Sequence, residues 1–473
     1  MSPLRSLTAA SLALALSACA SMGHVAPRAA LLDADTLGAG LAIDAARAGV
    51  DWPAADWWRA LHDAQLERLL ALAQADSPGL QLARARVRQA QALAGLSEDA
   101  TRPKVDAGVS LDRELYSGHG TAPAPLAGQY AWRNQATLSL SYDLDLWGRN
   151  RQALAAALDE VQLASAEAQA ARLALQSAVV KTYIQLSLEF DLQDSIRGAL
   201  QRRGRILDIA RRRHSAGLGT GVDIAQVETT LPAGRRELEQ AAETIALLRN
   251  QLAALCGQGP AAGEALRRPS LRLDRPPLLP DALPAELLGR RPDIAAQRWR
   301  VEAAAKRIEV AKADFYPNLN LLAFAGVQSL GFGHFLDAAS ATRGVAPALS
   351  LPIFSGARLR AQLGSQGALY DAAVAQYNAS VVAALAEVGN AVARAQSLAR
   401  QQALGEAALA SAGKANDLAG KAYRAGLNDA VNMLNAELVL LAEQQQMAQI
   451  GARQLDAYAG LMAALGGGIR VLP

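Results

Sequence analysis

Residues 132–146 alternate between two kinds of side chain. Trp132, Asn134, Ala136, Leu138, Leu140, Tyr142, Leu144 and Leu146 make one mainly apolar set, and Arg133, Gln135, Thr137, Ser139, Ser141, Asp143 and Asp145 make the other. A period of two predicts a strand over about 131–146 with one apolar and one polar face. Val105, Ala107, Val109 and Leu111 alternate with Asp106, Gly108, Ser110 and Asp112, which predicts a partner strand over about 104–116. An ordinary soluble hairpin rarely needs such length, whereas a tilted membrane strand does. A second pair is expected over about 318–328 and 345–354. Its alternation is muddier, and Pro347 and Pro352 argue against a regular central strand.

After each strand pair the period changes. From about 149 to 214 there is no proline and only two glycines, and Leu154, Leu158, Val161, Ser165, Ala168, Ala171 and Leu175 form a narrow seam at spacings of three and four. The matching run is about 357–423. Some 65 residues at ~1.5 Å each make a helix on the order of 100 Å long. Return helices follow over about 222–256 and 430–465, and shorter helices precede the strands over about 78–101 and 292–315. Added end to end in chain order, 222–256 with 292–315 and 430–465 with 78–101 would each match one long helix.

The chain therefore reads as two copies of one unit. At an offset of 214, Ser77-Pro78-Gly79-Leu80 overlays Arg291-Pro292-Asp293-Ile294, and Arg84, Val87, Ala90 and Pro103 fall on Arg298, Val301, Ala304 and Pro317. At an offset of 209, Ala216-Gly217-Leu218 overlays Ala425-Gly426-Leu427, and Glu228 falls on Glu437. The expected plan is a lead segment over 19–75, a first repeat over 76–256, a proline-rich connection over 257–283, a second repeat over 284–465 and a tail over 466–473. From Ala20 to about Ala60 the lead has little periodicity and reads as extended chain.

Composition narrows the class. The 473 residues include 4% aromatics and carry a net charge of +3, which favours long helices packed through small side chains and gives no sign of a nucleic-acid partner. Residues 1–18 read as a secretory signal, with Arg5 ahead of an apolar run from Leu7 to Leu16. Leu16-Ser17-Ala18-Cys19 resembles the bacterial lipobox. That implies cleavage before Cys19 and its lipidation, and Ala20 favours sorting to the outer membrane. Cys256 is the only other cysteine and ends an apolar helical run, so core packing accounts for it. No later segment offers 18 uninterrupted apolar residues, so a membrane crossing by the mature chain requires a closed β-barrel. Enzyme chemistry finds no foothold. The five histidines are scattered, and Gly217-Leu218-Gly219-Thr220-Gly221 lacks the Gly-Lys-Ser/Thr of a phosphate loop.

The order and duplication of Leu-Trp-Gly at 146–148, Arg-Arg-Pro-Asp-Ile at 290–294, Phe-Tyr-Pro-Asn-Leu at 315–319, Leu-Pro-Ile-Phe-Ser-Gly at 351–356 and Tyr-Arg-Ala-Gly-Leu at 423–427 resemble the TolC-type outer-membrane efflux family, in its lipoprotein (NodT-like) branch. The resemblance spans about residues 55–465. It implies an α+β membrane protein whose homotrimer forms a 12-stranded barrel joined to a periplasmic helical barrel. It further implies a passive exit duct without cofactor, anchored by lipid on Cys19 and supplied by an inner-membrane pump through a periplasmic adaptor at the helix tips. Carried over by position, Asp223 falls on a gate carboxylate, Tyr423 on the tyrosine that bonds it, Asn428 on a gate arginine, and Asn432 and Asn435 on an inner carboxylate pair. The turns at Gly217, Gly219, Gly221 and Gly426 would face the adaptor. Taken alone, the spacing of Thr220 and Asp223 and of Asp429 and Asn432 is that of helix caps, and Arg211-Arg212-Arg213 before Gly217 is a helix stop. Two other readings remain open, a duct for peptide secretion and a non-channel periplasmic coiled-coil lipoprotein.

Overall fold

The computed structural model describes residues 22–23, 26–33, 37, 52–273 and 290–469. The signal segment 1–18, Cys19 and much of the proline-rich connection lie outside the described residues. Two compact units divide the chain, and each is drawn from both repeats.

The first unit includes residues 87–164 and 297–377 and carries the sheet. Strands β1 (Lys104–Leu115), β2 (Tyr130–Asp143), β3 (Asn318–Leu330) and β4 (Ala341–Ser350) pair antiparallel in chain order, which leaves β1 and β4 as open edges. The register gathers the apolar positions on one face. Val105, Ala107 and Val109 stand opposite Leu140, Leu138 and Ala136, and these stand opposite Ala323, Ala325 and Val327. Leu319, Leu321 and Ala323 then stand opposite Leu349, Pro347 and Val345. Arg113 and Arg343 share this face near one end of the sheet, opposite Trp132 and Ala325. Asn134 is fully buried there and its amide donates to the Gly331 carbonyl at 2.9 Å. The other face holds Asp112, Arg133, Gln135 and Ser139, with Leu322 and Phe324 among them.

Two strands end or begin at other residues than the sequence predicts. β2 stops at Asp143 although the alternation runs on to Leu146, because Asp145 turns to φ +41° and caps the next helix. Its carboxylate accepts from the backbone N–H of Asn150 at 2.9 Å and Arg151 at 3.0 Å. β4 starts at Ala341, just after a 3₁₀ turn at Ala338–Ser340, and ends before Pro352 rather than running to 354. Pro347 lies within it, tolerated on a strand that is an edge in the single chain. Beside the sheet, Trp147 stacks on Tyr316 with centroids 4.6 Å apart and donates to the Pro317 carbonyl at 2.8 Å.

The helices are α1 (Ala64–Asp76), α2 (Pro78–Asp99), α3 (Arg149–Ser215), α4 (Gly221–Leu255), α5 (Pro260–Glu264), α6 (Pro292–Ala313), α7 (Gly356–Arg424) and α8 (Ala430–Ala464). The second unit includes residues 165–273 and 378–469. Its core also contains part of what reads in sequence as a lead segment. A 3₁₀ turn at Trp57–Leu61 and the whole of α1 bury Trp57, Trp58, Leu61, Leu66, Leu69 and Leu70 against Val179, Val180, Tyr183, Leu252 and Leu461. Spacings of three and four at Leu66, Leu69, Leu70 and Ala73 make α1 one-sided. Asp63 begins it and is saturated, accepting from the N–H of Gln65 and Leu66, from the Tyr183 hydroxyl and from Ser270. Cys256 is buried and points at the Leu69 carbonyl; burial raises its thiol pKa and keeps it protonated.

End-to-end pairing of the shorter helices runs opposite to the chain-order expectation. A side chain at Gly257, just past α4, would meet the Asp76 carbonyl at 2.6 Å, so α4 abuts the start of α2. One at Gly466, just past α8, would meet the Arg290 carbonyl at 2.4 Å, so α8 abuts the start of α6. Arg291 fastens the second junction. It donates to Asp293 at 2.7 Å, to Glu387 of α7 at 2.6 Å and to the Ala464 carbonyl at 3.2 Å. Each repeat thus completes its own composite rod. Chain order misleads because two strands and a long helix separate the two pieces of each rod in sequence.

Candidate functional site: the helical hairpin tips

Both long helices end in the same way, for a reason legible in their last residues. The Leu218 N–H reaches the Arg213 carbonyl at 2.8 Å and the Gly217 N–H reaches the His214 carbonyl at 3.0 Å. Leu427 and Gly426 repeat the pair on Ala422 and Tyr423 at 2.9 and 3.1 Å. These are Schellman stops, and Gly217 and Gly426 take the required left-handed backbone at φ +73° and +75°. The chain then presents Leu218 and Leu427, 71% and 83% exposed, before each return helix begins. Gly219 packs on the end of α3, while Gly221 opens α4 with nothing against it.

The two return helices start differently. Thr220 and Asp223 close a full capping box: the Thr220 N–H donates to the Asp223 carboxylate at 2.8 Å, its hydroxyl donates at 2.9 Å, and the Asp223 N–H donates to that hydroxyl at 3.3 Å. Thr220, through its N–H and then its hydroxyl, holds the Asp223 carboxyl below the usual range, and the charge of Arg213 adds to this. In the second tip Asp429 accepts from the Asn432 N–H at 2.8 Å, and the Asn432 amide donates to the Asn428 side chain at 2.8 Å. Asn432 and Asn435 are exposed on α8.

Arg213 joins the two tips. Its guanidinium donates to the Tyr423 carbonyl at 3.0 Å and the Leu218 carbonyl at 3.3 Å, and lies over the Tyr423 ring at 5.2 Å. A cation at the last carbonyls of α7 also meets the negative end of that helix. Tyr423 is buried among Ile206, Leu207, Val227, Ala430 and Leu434, and desolvation raises its phenol. Sequence reasoning assigns Arg213 only a helix-stop role and pairs Tyr423 with Asp223. In the single chain the hydrogen bonds of Asp223 go to Thr220, and Arg213 meets the tyrosine. The run of three arginines is the visible signal, but it does not say which of them turns inward.

A sheet with one apolar face and two unpaired edges, carried on the same chain as paired helical hairpins with capped tips, defines a subunit of an outer-membrane channel. The chain belongs to the outer membrane efflux protein family, whose model matches residues 69–258 and 283–467. It is 46% identical over 373 residues to the fusaric acid resistance protein FusA of Burkholderia cepacia, covering 76% of this chain and 69% of that one. It is 30% identical to the multidrug resistance outer membrane protein MdtP of Escherichia coli K12, covering 92% and 90%. Among solved structures, the outer membrane protein VceC of Vibrio cholerae superposes with a TM-score of 0.83 at 35% identity, over 88% of this chain and all of that one. The Campylobacter jejuni CmeC channel shares the fold, with a TM-score of 0.86 at 20% identity over 94% and 95%. The protein is thus an outer-membrane efflux channel of TolC type, a conduit and not an enzyme.

Proposed function

We propose that three copies of this chain form the exit duct of a tripartite efflux system, fed by an inner-membrane pump through a periplasmic adaptor. The four-stranded sheet with both edges open carries the reading. Four strands cannot enclose a lumen, and in lipid an open edge leaves backbone groups unpaired; twelve strands from three copies remove every edge. The same open sheet argues against a periplasmic coiled-coil spacer. The names of the relatives favour small-molecule cargo over peptides, and FusA points to aromatic carboxylic acids of the fusaric acid kind. Purified protein should migrate as a heat-modifiable trimer and conduct ions in planar lipid, and its deletion should sensitise cells to fusaric acid. A monomer stable without detergent would overturn the duct.

In this reading the exposed turns around Gly217, Gly219, Gly221 and Gly426, with Leu218 and Leu427 at their crests, receive the adaptor. Asp223, Tyr423, Asn428, Asn432 and Asn435 form the closing ring. Because amides stand at two positions where carboxylates would concentrate cations, closure depends more on neutral hydrogen bonds and less on salt than a ring of carboxylates would, with Asp223 its remaining charged member. Millimolar divalent cations should therefore block conductance weakly, whereas a strong block surviving Asp223→Ala would refute this ring. Lipid on Cys19 completes the anchor; labelled palmitate should enter the wild type and not Cys19→Ser.

A further inference from the structure

Glu437 occupies the apolar side of α8, between the buried Leu434 and Leu441, and is itself 1% exposed. Its carboxylate accepts from Arg202 of α3 at 2.9 Å. The second carboxylate oxygen and the Arg202 Nη2 are buried without a hydrogen-bond partner, so the contact rests on a single hydrogen bond. The adjacent Arg203 is also buried and reaches the Thr230 carbonyl of α4. Neighbouring arginines thus hold different helices, one in their own hairpin and one in the other.

Three observations set this pair apart. First, Arg202 and Arg213 are eleven residues apart, close to three full turns, and so lie on one face of α3. Between them the apolar cluster of Ile206, Leu207, Tyr423, Ala430 and Leu434 fills the seam. Second, the pair crosses from the first hairpin (α3–α4) to the second (α7–α8), as Arg213 does. Third, the repeat does not duplicate it. Glu228, the counterpart of Glu437, is exposed and pairs with Arg211 inside its own hairpin at 2.7 Å.

We propose that Arg202–Glu437 is a positioning tie that holds the two hairpins of a subunit in register and so keeps the tip closed. The tie rests on the tip-gate reading above. Arg213 clamps the seam at the turns and Arg202–Glu437 clamps it about three helical turns further in, so separating the hairpins requires breaking both. With Glu437 buried and Arg202 only partly exposed, the inner clamp is screened by salt much less than contacts at the exposed turns.

The test is single-channel conductance of the full-length trimer in planar lipid, with heat-modifiable migration reporting assembly. Glu437→Gln keeps the side-chain shape and should assemble, yet raise the open fraction at least threefold at both low and molar salt. Arg202→Glu should do the same, Arg202→Lys should stay near wild type, and the swap Arg202→Glu with Glu437→Arg should restore closure. Tyr423→Phe combined with Asp223→Ala serves as the gate control. If the control opens the duct while assembled Glu437→Gln does not, the tie is refuted and the gate stands. If neither changes the open fraction, the gate reading fails and takes the tie with it. A swap as open as its parents would show that packing, and not the charge pair, matters there.

Discussion

At the residue scale the tips are governed by a few side chains of opposite acid–base character. Asp223 is depressed in the folded state, so its capping contribution is present above its unfolded pKa of about 3.9 and is lost as pH falls through the folded value. Protection against hydrogen exchange in the first turn of α4, relative to the intrinsic rate at each pH, should be steady from neutral pH to about 5 and fall in stronger acid. Asp223→Ala should remove about 1 kcal/mol of local protection at neutral pH and abolish that acid dependence. Glu437 carries the opposite sign. Desolvation raises its carboxyl against the pull of Arg202, Arg203 and Arg205, so the fold binds its proton more readily and acid costs no stability there. Arg213→Lys keeps the charge but loses the fork that spans two carbonyls and the stacked ring. Faster exchange at Gly426 and Leu427, with no change at Thr220, is the expected result.

At the scale of elements, length decided what could be read in advance. The long helices α3 and α7 and strands β1 and β2 announce themselves because the same period persists over many residues. Helix α1 is thirteen residues long, and its single apolar stripe is lost within a lead that otherwise lacks period. The end of β2 is hidden for another reason: the alternation at Leu144 and Leu146 is real, but the demand for a cap at Asp145 overrides it. Glu437 shows a signal present and unread, since a carboxylate flanked by Leu434 and Leu441 on one helix face calls for a buried cation. The arrangement of the sheet makes its own prediction. Leu138→Arg, on the apolar face near mid-strand, should cost about 2–4 kcal/mol in urea unfolding from lipid vesicles, while Ser139→Arg on the polar face should cost far less.

At the scale of the whole chain, duplication supplies the plan and asymmetry supplies the function. Each repeat provides a hairpin of strands, a long helix and a composite rod, yet only the first tip has a full capping box and only the second has the Asn428–Asn432 bond. Gly257→Leu tests the joint between α4 and α2, where no side chain fits beside the Asp76 carbonyl. Its left-handed backbone at φ +71° and overpacking there should together cost about 1–3 kcal/mol and lower the yield of assembled trimer, whereas the same change at Gly259, which has open space and an ordinary backbone, should not.

Because α4 abuts α2 and not α6, the first repeat holds both pieces of its own composite rod before the second repeat has emerged from the export machinery. The opposite pairing would have kept the earliest helix waiting for the last one to cross. What does wait is the core around Trp57: its carbonyl receives the Tyr458 hydroxyl at 2.9 Å, a contact 401 residues away in the chain. Translocation is vectorial, so that aromatic contact waits until nearly the whole chain has crossed.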